Sequence, residues 1–463
     1  MKRTHSNSLP LSEMPRRNFV ATLGMGLLSL PAQNILAQTA TTASARAIPY
    51  TQTRVGKRWY KGNTHMHTIR SDGEVFPLEA AALFKREGFN FICFTDHNIT
   101  ANEPFAPIPV DSPKGKKVKI EKLKPCKVAK NAEGKECYCP PSFEDVSSIV
   151  NEPEKFLVLS GNEVSCAPVL GKELHCNFIN YHKPCRLKNK NTVQECLDAV
   201  REEYQHNANS SPYSFMCVNH PLWVSYDVPP SLIADREDLL FFEVCNSGSM
   251  PRFNLPGDEF THDKWWDVVN TIRALRGQPL IYGIASDDIH NYTKLQNQEK
   301  RIDGYVQVLA EHLTAKGLVE AFLRGDFYAS TGITLEAITF NKATRTLTVT
   351  VDPTHGDDCR ISFIGSKKGV DTSVQETVRW EIEGELNSWL VNTRKFSRSR
   401  TVERYSADIG KVFKSVKGRT ASYTMQPDDL YVRAKVVTPA DAKTDNRENL
   451  MPVAWTQPIL AVR

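Results

Sequence analysis

From Trp59 to about Ser330 the chain alternates short apolar runs with stretches of helical period, and almost every run ends on polar or ionisable residues. Leu78 to Glu87 carries apolar residues at helical spacing and stops at Gly88; Phe91 to Thr95 then reads as a buried strand. Further strands are predicted at Phe156 to Ser160, His175 to Asn180, Phe215 to Asn219, Leu240 to Cys245 and Leu280 to Ala285, with helices at Val193 to Gln205 and Asp263 to Arg276. Strand and helix in alternation indicate an α/β fold with a parallel sheet and crossover helices, whose strand ends share one face. Seven or so repeats favour a closed or nearly closed barrel, with a doubly wound open sheet as the alternative.

After Ser330 the period changes to two. Leu335 to Phe340 and Thr346 to Val351 predict a hairpin around residues 341–345, and Tyr431 to Val437 and Val453 to Ile459 continue the β pattern, suggesting a small β-sandwich. Phe396 to Lys417 is polar and basic and reads as a loop. The expected organisation is a leader and linker at 1–45, a catalytic domain at 55–332 with a polar, cysteine-containing insertion at about 102–152, and a β-rich domain at 333–463.

Composition narrows the class. With 463 residues, 40% hydrophobic and 24% charged, the chain can bury a large core and has none of the bias of disorder. Pro15-Arg16-Arg17-Asn18-Phe19 precedes an apolar run from Val20 to Leu30 and small residues at Ala37, Ala43 and Ala45. This resembles a twin-arginine export signal, so a periplasmic or secreted protein is expected. Much of the formal net charge of +5 lies in that leader, and Lys114 to Lys130 is the one basic stretch, read as a solvated loop. Nucleic-acid binding is therefore not expected. Nor is a stable membrane anchor, because no run approaches the roughly 18 apolar residues that a span requires. Of the eleven cysteines, Cys126, Cys137 and Cys139 suggest a loop disulfide, with free thiols or a metal knuckle as alternatives. Cys166 and Cys176 fall near candidate metal ligands, yet offer no persuasive nucleophile.

The candidate chemistry lies at the strand ends. His65 and His67 are two apart, so in an extended segment both imidazoles share a face. Asp72 follows in a turn, and Asp96-His97, Glu163, His175, His220 and Asp287-Asp288-Ile289-His290 each border an apolar run. The Asp-x-His spacing selects Asp288 as a ligand, leaving Asp287 at the surface or behind the ligands. Asp96 should point away from His97 and serve as a hydrogen-bond acceptor. Glu243 and Asn246 are candidates to contact substrate or to orient His220, and Arg252 is a further possible substrate contact. Trp265 and Trp266 are expected to pack the barrel.

In this order the motifs resemble the PHP (polymerase and histidinol phosphatase) family, and with Phe327-Tyr328-Ala329-Ser330-Thr331-Gly332 and a trailing β region they are most similar to the subgroup that includes carbaryl-type (aryl carbamate) hydrolases. The resemblance implies a distorted seven-stranded (β/α) barrel holding two or three divalent metal ions. It implies one metal on His65, His67, Glu163 and Asp288, a second on His175 and His220 with Glu163 bridging, and a third on Asp72, His97 and His290. Such donors suit zinc, manganese or iron. A hydroxide between the metals would be the nucleophile, with a small-molecule ester as substrate. A phosphoesterase is the first expectation and a carboxyl-ester or carbamate hydrolase the second. A non-catalytic metal-containing binding protein is the third.

Overall fold

A computed structural model describes residues 48–51, 55–112, 114–117, 127–166, 174–222, 228–248, 261–296, 302–388, 391–438 and 452–461. The paired arginines 16 and 17, Arg252 and Cys126 lie outside the described residues. Nine strands form the sheet that carries the strand-end motifs: β1 (Arg58–Asn63), β2 (Phe91–Phe94), β3 (Leu157–Cys166), β4 (Leu174–Ile179), β5 (Phe215–Val218), β6 (Phe241–Asn246), β7 (Tyr282–Ser286), β8 (Tyr305–Ala310) and β9 (Phe327–Ser330). Their order is β7-β6-β5-β4-β3-β2-β1-β8-β9.

The sheet is mixed rather than parallel throughout. β1 with β2, β2 with β3, β5 with β6 and β6 with β7 are parallel, whereas β4 runs antiparallel to both β3 and β5. Connection length explains the reversal: only residues 167–173 separate β3 from β4, too few for the dozen or more that a parallel crossover needs. β8 is likewise antiparallel to β1 and β9.

Side chains from around this sheet meet in one apolar interior. Tyr60, Phe91, Leu159, Phe215, Phe241, Tyr282 and Val306 pack together, and the helix Ala315–Arg324 plugs the cluster with Leu318, Val319 and Phe322. That helix starts at Thr314, whose side chain caps Gly317 N, and stops at Gly325, where φ is 75°. Against the outer face lies the helix His262–Arg276. Trp265 and Trp266 are wholly buried and donate their indole N–H groups to Val228 O and Ile281 O, the packing role expected of them.

The sheet curls but its ladder stays open at β7. The Gln457 side chain takes the place of a neighbouring strand there, accepting from Gly283 N and donating to Gly283 O, both at 2.8 Å. Above it, Asp303 N donates to Asp287 Oδ2 at 3.0 Å and Gly304 N to Ser247 Oγ at 3.2 Å. A Cβ on Gly304 would lie 1.8 Å from Ser286 O, so the backbone itself would have to move. Gly304→Ala should therefore cost about 1–3 kcal/mol, the range for overpacking, read as a lowered urea midpoint.

The C-terminal part is β-rich. The predicted hairpin forms between β10 (Leu335–Asn341) and β11 (Thr346–Val351). After β12 (Arg360–Lys367) come β13 (Glu376–Ser388) and β14 (Val391–Arg404), paired with each other, then β15 (Lys411–Lys417), β16 (Thr420–Thr424), β17 (Asp429–Val437) and β18 (Val453–Thr456). β9 pairs with β18, and β17, β12 and β15 extend the same sheet, while β10, β11 and β16 form a second sheet. Ile338, Leu347 and Val349 share one buried cluster with Ile361, Phe363, Val432 and Val436.

The loop expected over Phe396 to Lys417 is thus corrected to strand at both ends, in β14 and β15. Ladder pairing with β13 and β12 supplies what the hydrophobic pattern lacks. In the insertion, Ile108–Pro109, Lys127–Lys130 and Glu136–Cys139 form a small sheet, and Cys137 and Cys139 are free thiols. Among the described residues no helix is long and apolar enough to cross a membrane.

Candidate metal centre

The ends of β1, β2, β3, β4, β5 and β7 bring His65, His67, Asp72, His97, Glu163, His175, His220, Asp288 and His290 into one cluster. Two segments beyond strand ends are held by backbone bridges: Met66 pairs with Ile289, and His97 with Glu163. His67 N donates to Ile289 O at 3.0 Å and Asp288 N to His65 O at 3.0 Å, which locks the first motif against the last. Asp288 and His220 have positive φ of 56° and 22°, sparsely populated for residues with side chains.

Donor spacing tests whether cations fit. His65 Nε2 lies 3.2 Å from His67 Nε2, from Glu163 Oε1 and from Asp288 Oδ1; His67 Nε2 lies 3.2 Å from Glu163 Oε2 and 3.0 Å from Asp288 Oδ1. Ligands at about 2.1 Å from a tetrahedral ion are separated from each other by roughly 3.4 Å, so this set has the spacing of a coordination shell. Glu163 Oε2, buried and within 3.0 Å of His97 Nδ1, still makes no hydrogen bond of acceptable geometry. Its neighbours point with it at common points rather than at one another. The donors present fit divalent metal ions.

The groups overlap more than the motif resemblance implies. His65, His67 and Asp288 form one; His65, Glu163 and His220 a second; His97, Glu163 and His175 a third; His67, Asp72, His97 and His290 a fourth. Glu163 is the hinge of the cluster, 3.0 Å from His175 Nδ1 and 3.5 Å from His220 Nε2. His97 faces two ways, with Nδ1 toward Glu163 and Nε2 3.7 Å from Asp72 Oδ2.

The field of the cluster calls for positive charge. Burial works against charging His67, but the Asp288 and Glu163 carboxylates close to Nε2 outweigh it and raise the imidazole to about 10. Burial likewise opposes ionisation of Glu163 and Asp288, and the surrounding imidazoles hold both carboxyls well below their ordinary range. His97 moves the other way, lowered chiefly by burial.

Around the donors stands a ring of positioning groups. Glu243 is fully buried, and its carboxylate accepts from His65 Nδ1 at 2.7 Å, Ser286 Oγ at 2.5 Å, His220 N at 2.9 Å and Asn246 Nδ2 at 2.9 Å. It therefore fixes the His65 ring and holds the His220 backbone, in keeping with the expectation that it orients His220. Asn246 also donates to Asp288 Oδ2 at 3.1 Å. Asp287 is buried rather than superficial and binds Ser247 Oγ at 3.0 Å. Asp96 accepts from Thr68 N, Thr68 Oγ1 and Ser71 Oγ, the structural role its strand position predicts.

Sequence reasoning passed over Asn219, which donates to Glu163 Oε1 at 2.8 Å, and Tyr292, whose hydroxyl donates to His67 O at 2.8 Å. Adjacency of Asn219 to His220 at a strand end was the available signal. Tyr292 had none.

Four donors converge on Glu243, and an amide offers only one acceptor oxygen. Glu243→Gln should leave the fold intact and weaken metal binding about 10–100-fold, measured by metal titration against a competing chelator.

No family model matches the chain, and no curated protein matches it. Among solved structures, the chain is similar to a two-domain protein from Bacteroides vulgatus containing a predicted PHP-like metal-dependent phosphoesterase, at 15% identity over 85% of this chain and 94% of that one, with a TM-score of 0.38. It is also similar to a protein from Bifidobacterium adolescentis whose metal-dependent phosphoesterase activity is inferred, at 14% identity over 50% and 87% of the chains and a TM-score of 0.25. At this distance the chemistry has to be read from the chain's own donors.

Proposed function

We propose that the chain is an exported metal-dependent hydrolase, first of all a phosphoesterase, built on residues 55–332 as a distorted barrel whose ladder stays open at β7, with residues 333–463 as an accessory β-sandwich. The observation that carries the reading is the convergence of nine imidazole and carboxylate donors at coordination spacing. His65, His67, Glu163 and Asp288 would hold one ion, His175 and His220 with Glu163 a second, and Asp72, His97 and His290 a third. Bound there, zinc, manganese or iron would supply Lewis acidity, making water a competent nucleophile near neutral pH and polarising the ester.

The protein's own part is to orient and to balance charge. Glu243 keeps the proton of His65 on Nδ1, so Nε2 presents its lone pair to the cluster. Asn219 and Asn246 fix one oxygen each of Glu163 and Asp288. Four carboxylates, from Asp72, Glu163 and Asp288 with Glu243 behind His65, balance two divalent cations and only partly offset three. With three ions bound, the remaining positive charge favours an anionic ester over a neutral one, which ranks phosphoesters above carboxyl esters and carbamates. The partner is accordingly a small-molecule ester.

Purified protein should contain divalent metal and hydrolyse p-nitrophenyl phosphate or its bis ester faster than p-nitrophenyl acetate or 1-naphthyl methylcarbamate. Faster turnover of the neutral substrates would reverse the ranking. Metal-free protein of undiminished stability and no turnover would sink the reading altogether. Export is tested separately: a reporter fused after the leader should lose its periplasmic signal when Arg16 and Arg17 are both lysine.

A further inference from the structure

The insertion between β2 and β3 sends one lysine to the metal centre. Exposure marks where solvent reaches the donors: His65, His67 and Glu163 are buried, whereas the side chains of Asp72, His97 and His290 are 25%, 27% and 36% exposed. These three line the mouth of the cluster. The insertion walls the turn that carries Asp72, because Phe105, Ile108, Val110 and Tyr138 pack with Ile69 and Phe76, the residues on either side of that turn. From this wall Lys114 reaches across, and its Nζ donates to Ser71 O at 3.0 Å. That carbonyl belongs to the peptide bond leading into Asp72, so the ammonium stands within about 7 Å of the Asp72 Cα.

The backbone around Lys114 is set by a tight turn. Gly115 N donates to Ser112 Oγ at 2.9 Å and Lys116 N to Ser112 O at 2.9 Å, and a Cβ on Gly115 would meet Pro109 O at 2.1 Å. Lys116 is exposed but Lys114 is half-buried, so the solvated loop expected over Lys114 to Lys130 is corrected at its first residue. An ammonium has three N–H bonds to place. Among the described residues Ser71 O is the one hydrogen-bond partner of Lys114, and no carboxylate pairs with it. Lysines withdrawn from water are ordinarily paired. Arg70, the other cation of this turn, is already committed to the loop after β2, donating to Thr100 O at 3.1 Å and Glu103 O at 2.7 Å.

We propose that Lys114 is a substrate-binding residue whose ammonium takes an anionic phosphoryl oxygen at the mouth of the metal centre, so that the insertion selects anionic esters over neutral ones. The substrate rests on the hydrolase reading; the anion site does not, since inorganic phosphate offers the same oxygens. The competing role is a brace, in which Lys114 only holds the Ser71 carbonyl and so the place of Asp72. Charge separates the two roles. A phosphoryl oxygen forms a charge-assisted hydrogen bond with the ammonium, whereas the neutral carbonyl of an acetyl ester forms a weaker one. Loss of a brace would act on both substrates alike.

The test compares the full-length, metal-loaded protein with Lys114→Met, which keeps an apolar stem, and Lys114→Arg, which keeps the charge; Lys114→Gln replaces the methionine variant should that fold poorly. Inorganic phosphate, titrated calorimetrically, should bind Lys114→Met about 10–100-fold more weakly than wild type, and Lys114→Arg should recover much of the loss. Metal content should not fall. The kcat/KM for p-nitrophenyl phosphate relative to that for p-nitrophenyl acetate should drop at least about tenfold in Lys114→Met, mainly through KM for the phosphate. Equal phosphate affinity in wild type and Lys114→Met would overturn the proposal, as would a wild type that binds no phosphate, or a parallel loss on both esters together with lost metal. Phosphate binding that depends on Lys114 in a protein that cleaves neither ester would instead uphold the anion site and remove the hydrolase reading.

Discussion

Glu163→Gln should abolish tight metal binding and lower hydrolysis by at least about a thousandfold, while far-ultraviolet circular dichroism stays that of the folded protein. The expectation follows from position. The Glu163 carboxylate lies within 3.5 Å of ring nitrogens from His65, His67, His97, His175 and His220, and Asn219 holds one of its oxygens. The amide removes the negative charge that these imidazoles surround and turns one ligating oxygen into an N–H donor. Loss should exceed the roughly 10–100-fold expected at Glu243, because Glu243 acts through His65 whereas Glu163 is itself a donor to the cluster. Metal content by mass spectrometry, together with turnover at saturating added metal, separates weakened binding from impaired chemistry. Full metal content and wild-type turnover in Glu163→Gln would remove Glu163 from the centre.

The second large effect is on stability and lies away from the donors. Arg433 is buried on β17 and meets Asp267 of the helix His262–Arg276 in a two-pronged pair, Nε to Oδ1 at 2.9 Å and Nη2 to Oδ2 at 2.7 Å. Asp263 lies 2.9 Å from the same guanidinium and 2.7 Å from Lys435 Nζ, Tyr431 donates to Asp267 Oδ1 at 2.8 Å, and Trp266 stacks beneath Arg433 at 4.7 Å. Asp267→Ala leaves a buried guanidinium short of its partner and should cost about 3–5 kcal/mol, seen as a fall in the urea midpoint. Replacing both members by well-packed apolar residues should be far milder, because no charge is then stranded. A single substitution as mild as the double one would show the network to be solvated.

Acid should act on the same junction. Burial opposes ionisation of Asp263, but Lys435 and Arg433 outweigh it and hold the carboxyl well below its ordinary range. A group depressed in the folded state stabilises above its unfolded value of about 4 and ceases to do so as pH falls through the folded value. Stability should therefore decline below about pH 4, and Asp263→Asn should flatten that decline in a series of urea titrations.

Much of the site was legible because its donors follow strand ends, and strand ends are marked by where an apolar run stops. His65 and His67 flag a shared face by spacing alone, and Asp96 takes the hydrogen-bonding role expected of it, on Thr68 and Ser71. What spacing does not encode is which donor atoms meet. His97 was expected beside Asp72 and His290, yet it also reaches Glu163 and His175, since ring orientation depends on side chains from other strands. Glu243 sat at a strand end as a bare candidate, and its four hydrogen bonds emerge only when β1, β5, β6 and β7 are side by side.

For the fold, the local period fixed element type well, because burial of one stripe or one face is a property of a short segment. It named the helix over Asp263 to Arg276 and the hairpin around residues 341–345 almost to the residue. It missed β14 and β15, whose backbone partners rather than apolar faces make them strands. It also read as parallel a β4 that is antiparallel. Sequence alone, then, determined the strand-end His/Asp/Glu set and the change of texture near Ser330, because both depend on neighbours along the chain. Tertiary structure decided the direction of β4, the opening of the ladder at β7 beside Gln457, the overlap of the donor groups and the Arg433–Asp267 junction, because each joins groups far apart in sequence.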